Sequence, residues 1–189
     1  MYSKMINIII EALGQTIYMV FFSTLFASVL GFILGIIVTV TSPTGLRPNI
    51  FIYKSLDVII NVLRSFPFII LIVFIIPLTR AIVGTPIGET AAIVPLTIAA
   101  APFVARIIES ALKEVDPGVI EAAKSFGASN LQIIFKVMLK EAVPAIISGL
   151  TLTIINIIGY SAMAGSVGAG GLGKVAISYG YQRYQTDVM

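Results

Sequence analysis

The carboxylates that could support acid–base chemistry in this chain are Glu109, Glu114 and Asp116, and each lies close in sequence to Arg106 or Lys113. Charge pairing at these short helical spacings accounts for them without a catalytic role. Cysteine and histidine are both absent. That removes disulfides, thiolate nucleophiles, Cys/His metal sites and imidazole acid–base catalysis together. A membrane-embedded enzyme would need paired carboxylates, a Ser/Lys pair or metal ligands at depth, and the apolar runs offer none convincingly. Gly165 to Gly173 holds five glycines in nine residues. A phosphate-binding loop would need a hydroxyl after the lysine, which Gly173-Lys174-Val175 lacks, so these glycines instead permit close approach of backbones.

What remains is a docking pattern. Glu121-Ala122-Ala123-Lys124-Ser125-Phe126-Gly127-Ala128-Ser129-Asn130 and the residues up to Pro144 form a polar-sided stretch between long apolar runs. Asp116 fits an N-cap and Pro117 the first helical position, while Val115 and Ile120 have the spacing of a hydrophobic staple. The helix is expected to end where Gly127 takes positive φ, and Ser129 with Gln132 fits a capping box for a second helix. Along the first helix, of about ten residues and about 15 Å, Val119, Ala123 and Phe126 are expected to make one stripe. Such a stripe serves equally to cover the protein's own membrane ends or to meet a partner.

The elements that must position this pair are membrane spans. Hydrophobic residues make up 58% of the 189-residue chain and charged residues 11%, with a mean hydropathy of +1.03, far from the usual soluble composition. The expected architecture is an all-α polytopic bundle in one domain, residues 1–189: an interfacial helix over 1–15, spans over 16–40, 56–79, 90–108 and 143–164, and coupling helices over 116–141. Ala27, Gly31 and Gly35 share one face of the first span, spacing that serves close packing within the chain or contact with a second copy. Arg64 lies in the second span, where a guanidinium at mid-bilayer costs about 2.5–3.5 kcal/mol at least. Snorkelling from the first two turns of that span is the expected escape. Pro67 implies an irregular helix beyond it, and Pro95 and Pro102 a gentle bend in the third span. Asn156, the strongly polar residue of the fourth span, either lines a path or bonds a neighbouring helix.

The loops at 41–55 and 106–142 carry Arg47, Lys54, Arg106, Lys113, Lys124, Lys136 and Lys140, seven of the twelve basic residues. By the positive-inside rule both loops face the cytoplasm, and the amino terminus and the hairpin near Arg80 face outward. A stand-alone channel would leave the docking helix unexplained.

Glu121-Ala122-Ala123, Gly127 and the closing Val143-Pro144 resemble the EAA loop of ABC importer inner-membrane permeases of the type I fold. Arg64-Ser65-Phe66-Pro67-Phe68, the run from Ala91 to Phe103, Gly159-Tyr160-Ser161-Ala162-Met163-Ala164-Gly165 and Tyr179 to Gln185 extend the likeness, over nearly the whole chain, to the methionine importers among them. The resemblance implies a bacterial inner (plasma) membrane location, two copies of the chain forming the path, two ATPase subunits docked at Glu121, Ala122, Ala123, Phe126 and Gly127, and an external substrate-binding lipoprotein. It implies no catalysis and no cofactor in this chain, and a fifth span beyond Met189. Tyr160, Ser161 and Met163, near the outer end of the fourth span, become gate residues with Asn156 on the path. Met163 serves either as a flexible plug or as ordinary packing.

Overall fold

The computed structural model describes residues 2–184, and Gln185 of the Tyr179–Gln185 motif and the position expected for a fifth span lie outside them. Every regular element among the described residues is helical: α1 (Tyr2–Thr41), α2 (Ile50–Ser65), α3 (Phe68–Phe74), α4 (Ile76–Val83), α5 (Glu89–Lys113), α6 (Pro117–Ser125), α7 (Asn130–Gln132), α8 (Leu139–Ser166) and α9 (Gly171–Val175), with π-helical turns at Ile133–Met138 and Ala176–Tyr181. Three stretches, Met5–Thr41, Glu89–Lys113 and Asn130–Ser166, are long and apolar enough to cross a bilayer.

Three expected boundaries are corrected. The separate interfacial helix at 1–15 is absent, because α1 runs unbroken for 40 residues. Gly14 meets no neighbour within 4 Å and costs too little to stop a helix this long. The continuous span at 56–79 is instead three helices, since Pro67 supplies no amide and disfavours helical backbone at Phe66. A second interruption falls at Ile75, just before Pro77, and α4 ends on Gly84 at φ +85°. The second coupling helix does not stop before the fourth span: α7 continues through the π turn into α8, with Pro144 accommodated inside it. The third span is one helix despite Pro95 and Pro102.

The contacts group into two compact units. One contains residues 1–27, 65–100 and 154–189. Its core joins Met19, Phe68, Ile72, Ala92, Leu96, Ala164 and Ala169. Here the glycine-rich stretch behaves as its composition demands: Gly168, Gly170 and Gly171 take positive φ, and a Cβ on Gly173 would strike the Ala162 carbonyl. Gln15 and Thr16 hold the start of α9, accepting from the Gly171 amide at 2.7 Å and the Leu172 amide at 3.0 Å.

The other unit contains residues 28–64 and 101–153. Val104, Ile108, Leu112, Val115, Ile133, Ile134 and Met138 form its main core. The small-residue face of α1 meets α5 of the same chain: a Cβ on Gly31 would fall 2.5 Å from Val104 Cβ, and one on Gly35 2.6 Å from Ile108 Cβ. Gly35→Val is therefore expected to destabilise the protein by about 1–3 kcal/mol through overpacking. Gly14→Val, at a site with no neighbour within 4 Å, is expected to cost less. Thermal unfolding of both variants in detergent measures the difference, and equal losses would contradict the α1–α5 contact.

Candidate coupling and translocation sites

The coupling segment is built by its caps. Asp116 accepts from the Gly118 amide at 2.7 Å, with Pro117 at the first helical position. At the other end Gly127, at φ +78°, lets its own amide donate to Lys124 O at 2.9 Å and the Ala128 amide to Ala123 O at 3.1 Å. These are the two bonds of a Schellman turn. The chain then restarts at Ser129, whose hydroxyl accepts from the Gln132 amide while its own amide donates to Gln132 Oε1 at 2.9 Å.

The stripe through Val119, Ala123 and Phe126 is corrected. Ile120 and Ala123 face the core formed by Leu112, Val115, Ile133 and Met138. A helix this short can bury only one row three residues apart, and the Val115–Ile120 staple selects that one. Val119 and Ala122 are consequently turned outward, as are Glu121 and Lys124. Phe126 is 92% exposed and Leu131 68%. With Phe135, also exposed, they give the segment an apolar outer surface.

Sequence spacing foresaw only part of the charge cluster next to this core. Glu109, 4% exposed, accepts from Arg106 and, at 2.6 Å, from Lys113. Arg106 also binds Asp57 and Asn61 of α2. Asp57 lies 49 residues from Arg106, beyond any local pattern. The cluster ties α2 to the end of α5 that leads into α6.

The gate residues separate. Asn156, Gly159 and Met163 lie on the open side of α8, at the three- and four-residue steps of one helical face, with Met163 50% exposed. Tyr160 is half-buried, its ring stacked on Phe68 at 4.8 Å. Ser161 does not line a path: it is 2% exposed and its hydroxyl donates to Ile158 O at 2.7 Å. It turns inward because it lies two residues from Met163 and Gly159, about 200° around the helix from each.

An all-helical membrane bundle that displays a capped, apolar-faced helix beside its spans defines a permease with an external partner, not a self-contained channel. Residues 31–188 match the family of binding-protein-dependent transport system inner membrane components, and the chain belongs to it. It is accordingly a multi-pass protein of the bacterial inner membrane. The chain is 52% identical, over 97% of its length and 81% of the relative's, to a protein of Vibrio cholerae described as a probable D-methionine transport system permease. The D-methionine transport system permease of Escherichia coli K12 is 47% identical over 87% of this chain and 76% of its own. Among solved structures, the inward-facing MetNI methionine ABC transporter superposes with a TM-score of 0.97 at 46% identity, covering 100% of this chain and 88% of the other. An amino acid ABC transporter with histidines gives 0.78 at 23% identity, over 97% of this chain and 83% of that one, which shows the shared fold alone.

Valine at position 127 must take left-handed backbone, at a cost of about 1–2 kcal/mol. Gly127→Val is expected to lower stability by about that amount and to speed tryptic cleavage after Lys124, whereas Gly127→Asn, which tolerates this conformation, is expected to do less of both. Thermal unfolding and limited proteolysis check it, and unchanged cleavage in the valine variant would contradict the turn.

Proposed function

We propose that this chain is the methionine permease subunit of an ATP-driven importer, carrying the L or D isomer or both. The single observation that supports this most is the exposed apolar surface of Val119, Phe126, Leu131 and Phe135 beside Glu121, Ala122 and Ala123 on a well-capped turn. It has the form of a knob that enters a groove on another protein. The substrate and the ATPase partner come from the named relatives, the permeases of D-methionine transport systems and the MetNI transporter.

In this reading two copies of the chain form the path, and two ATPase subunits dock beneath them at Glu121, Ala122, Phe126 and Gly127, with Ala123 turned inward. A binding lipoprotein delivers substrate from outside. The loops 41–55 and 106–142 face the cytoplasm. ATP hydrolysis belongs to the partner, and this chain supplies neither a catalytic residue nor a cofactor site. Closure of the ATPase dimer draws the two α6 helices together. Because Ile120 and Ala123 pack against the core of α5 and the π turn, the spans move with α6, and α8, continuous from Leu139 to Ser166, carries the motion to Met163. Two Met163 side chains, one from each copy, then close the outer side while the cytoplasmic side is open, with Asn156 lining the path below and Tyr160 supporting the gate from behind.

The test is uptake by the full complex in proteoliposomes. ATP-dependent accumulation of methionine with the binding protein present is expected, and its absence in a correctly assembled complex would overturn the reading. Phe126→Asp is expected to abolish co-purification of the ATPase subunit without reducing membrane insertion. Met163→Ala is expected to raise ATP hydrolysis in the absence of substrate. Its stability loss should fall below the 2–5 kcal/mol typical of a buried methionine, because Met163 is half exposed.

A further inference from the structure

Arg64 lies in the last turn of α2, fourteen residues beyond Ile50 and about 21 Å along the helix axis. Snorkelling from the first turns of a span is therefore closed to it. Its guanidinium sits 6.0 Å from the centre of the Phe103 ring, and among the described residues no carboxylate lies within ion-pair distance of it. Arg106, also on the membrane portion of this unit, is by contrast paired with Asp57 and Glu109. An exposed, unpaired cation at this depth is a functional feature unless something covers it.

Arg64 opens onto a groove of about 400 Å³ shared with Phe103, Ser110, Ser148 and Leu152, a size that suits a small ligand. Its floor is fixed by Gly149, where a Cβ would collide with Ile107 Cγ2, so α5 and α8 meet there backbone to side chain. Glu114 also borders the groove. It stands eleven residues from Phe103, about 16 Å along α5, too far to share one amino-acid head group with Arg64. Arg106 lines the groove too, but its guanidinium is taken up by Asp57 and Glu109, so the chemistry left for a ligand is one free guanidinium fork, a ring, two hydroxyls and an aliphatic wall.

We propose that this groove is a transit site for the free amino acid, with Arg64 binding its α-carboxylate and Phe103 and Leu152 receiving its side chain. The proposal rests on the importer reading and adds to it a substrate-contacting residue. A planar guanidinium pairs two-pronged with a carboxylate, and a thioether sits well against an aromatic edge. A lipid phosphate has the same oxyanion chemistry, and the experiment separates the two sources.

The chain has no cysteine, so Ser148→Cys places a single thiol in the groove of the complete transporter. Its maleimide reaction is followed in nucleotide-free complexes held in nanodiscs, with and without millimolar L-methionine. Methionine is expected to slow the reaction at least threefold in discs of either phosphatidylcholine or phosphatidylglycerol, and the slowing is expected to vanish in Arg64→Gln and to weaken in Arg64→Lys. Uptake by the Arg64→Gln complex is expected to fall at least tenfold with assembly intact. Should Arg64→Gln fail to assemble, the lysine variant alone decides the matter. Protection that survives loss of the guanidinium, a rate that responds to the lipid and not to methionine, or a thiol that never reacts because protein covers it would each overturn the proposal. Wild-type uptake measured alongside distinguishes this failure from failure of the importer reading, since only the latter abolishes transport by the unaltered complex.

Discussion

The structure turns on the packing of Ile120 and Ala123, both half-buried, against the core beneath α6. These two side chains hold α6 against Leu112 and Val115 at the end of α5 and against Ile133 and Met138 in the π turn. These apolar contacts tie a displacement of α6 to the helices it sits on. Val119 on the other side of α6, Phe126 at its C-cap and Leu131 on α7 stay outside. The Schellman turn at Gly127 and the capping box at Ser129 then fix the angle at which the exposed row is presented.

A buried carboxylate stiffens the base of this arrangement. Glu109 would be costly alone, but Arg106 and Lys113 both donate to it, and Arg106 reaches across to Asp57. Lys113 also lies 5.7 Å from the centre of the Tyr53 ring. Arg106 is the member that pairs with both carboxylates, so its removal would leave Asp57 without its cation and the buried Glu109 with Lys113 alone. The role suggested by its position is registration of α2 against α5, next to the point where α5 hands over to α6.

Elements set by local chemistry were legible in the sequence. The caps at Asp116, Gly127 and Ser129 were readable because each depends on residues no more than a few positions apart, and the glycine-rich stretch because only glycine reaches those φ values. The inward row of α6 was misread, since Val119 and Ile120 are both apolar and the stripe was drawn through Val119, although the Val115–Ile120 staple already turned Ile120 inward. The bond from Arg106 to Asp57 was invisible, lying 49 residues away. The single long α1 was missed because the polar residues Lys4, Asn7 and Glu11 suggested an interface, and nothing in composition distinguishes a helix that ends there from one that continues. Ser161 looked available for a path until its bond to Ile158 O was seen.

The most direct test of the account is site-specific photocrosslinking in the assembled transporter. A photoreactive phenylalanine placed at Phe126 is predicted to crosslink to the ATPase subunit in high yield, and one at Ile120 to react only within its own chain. The reverse pattern, or no intersubunit crosslink at Phe126, would contradict the claim that α6 is anchored by its inner row and docks by its outer one.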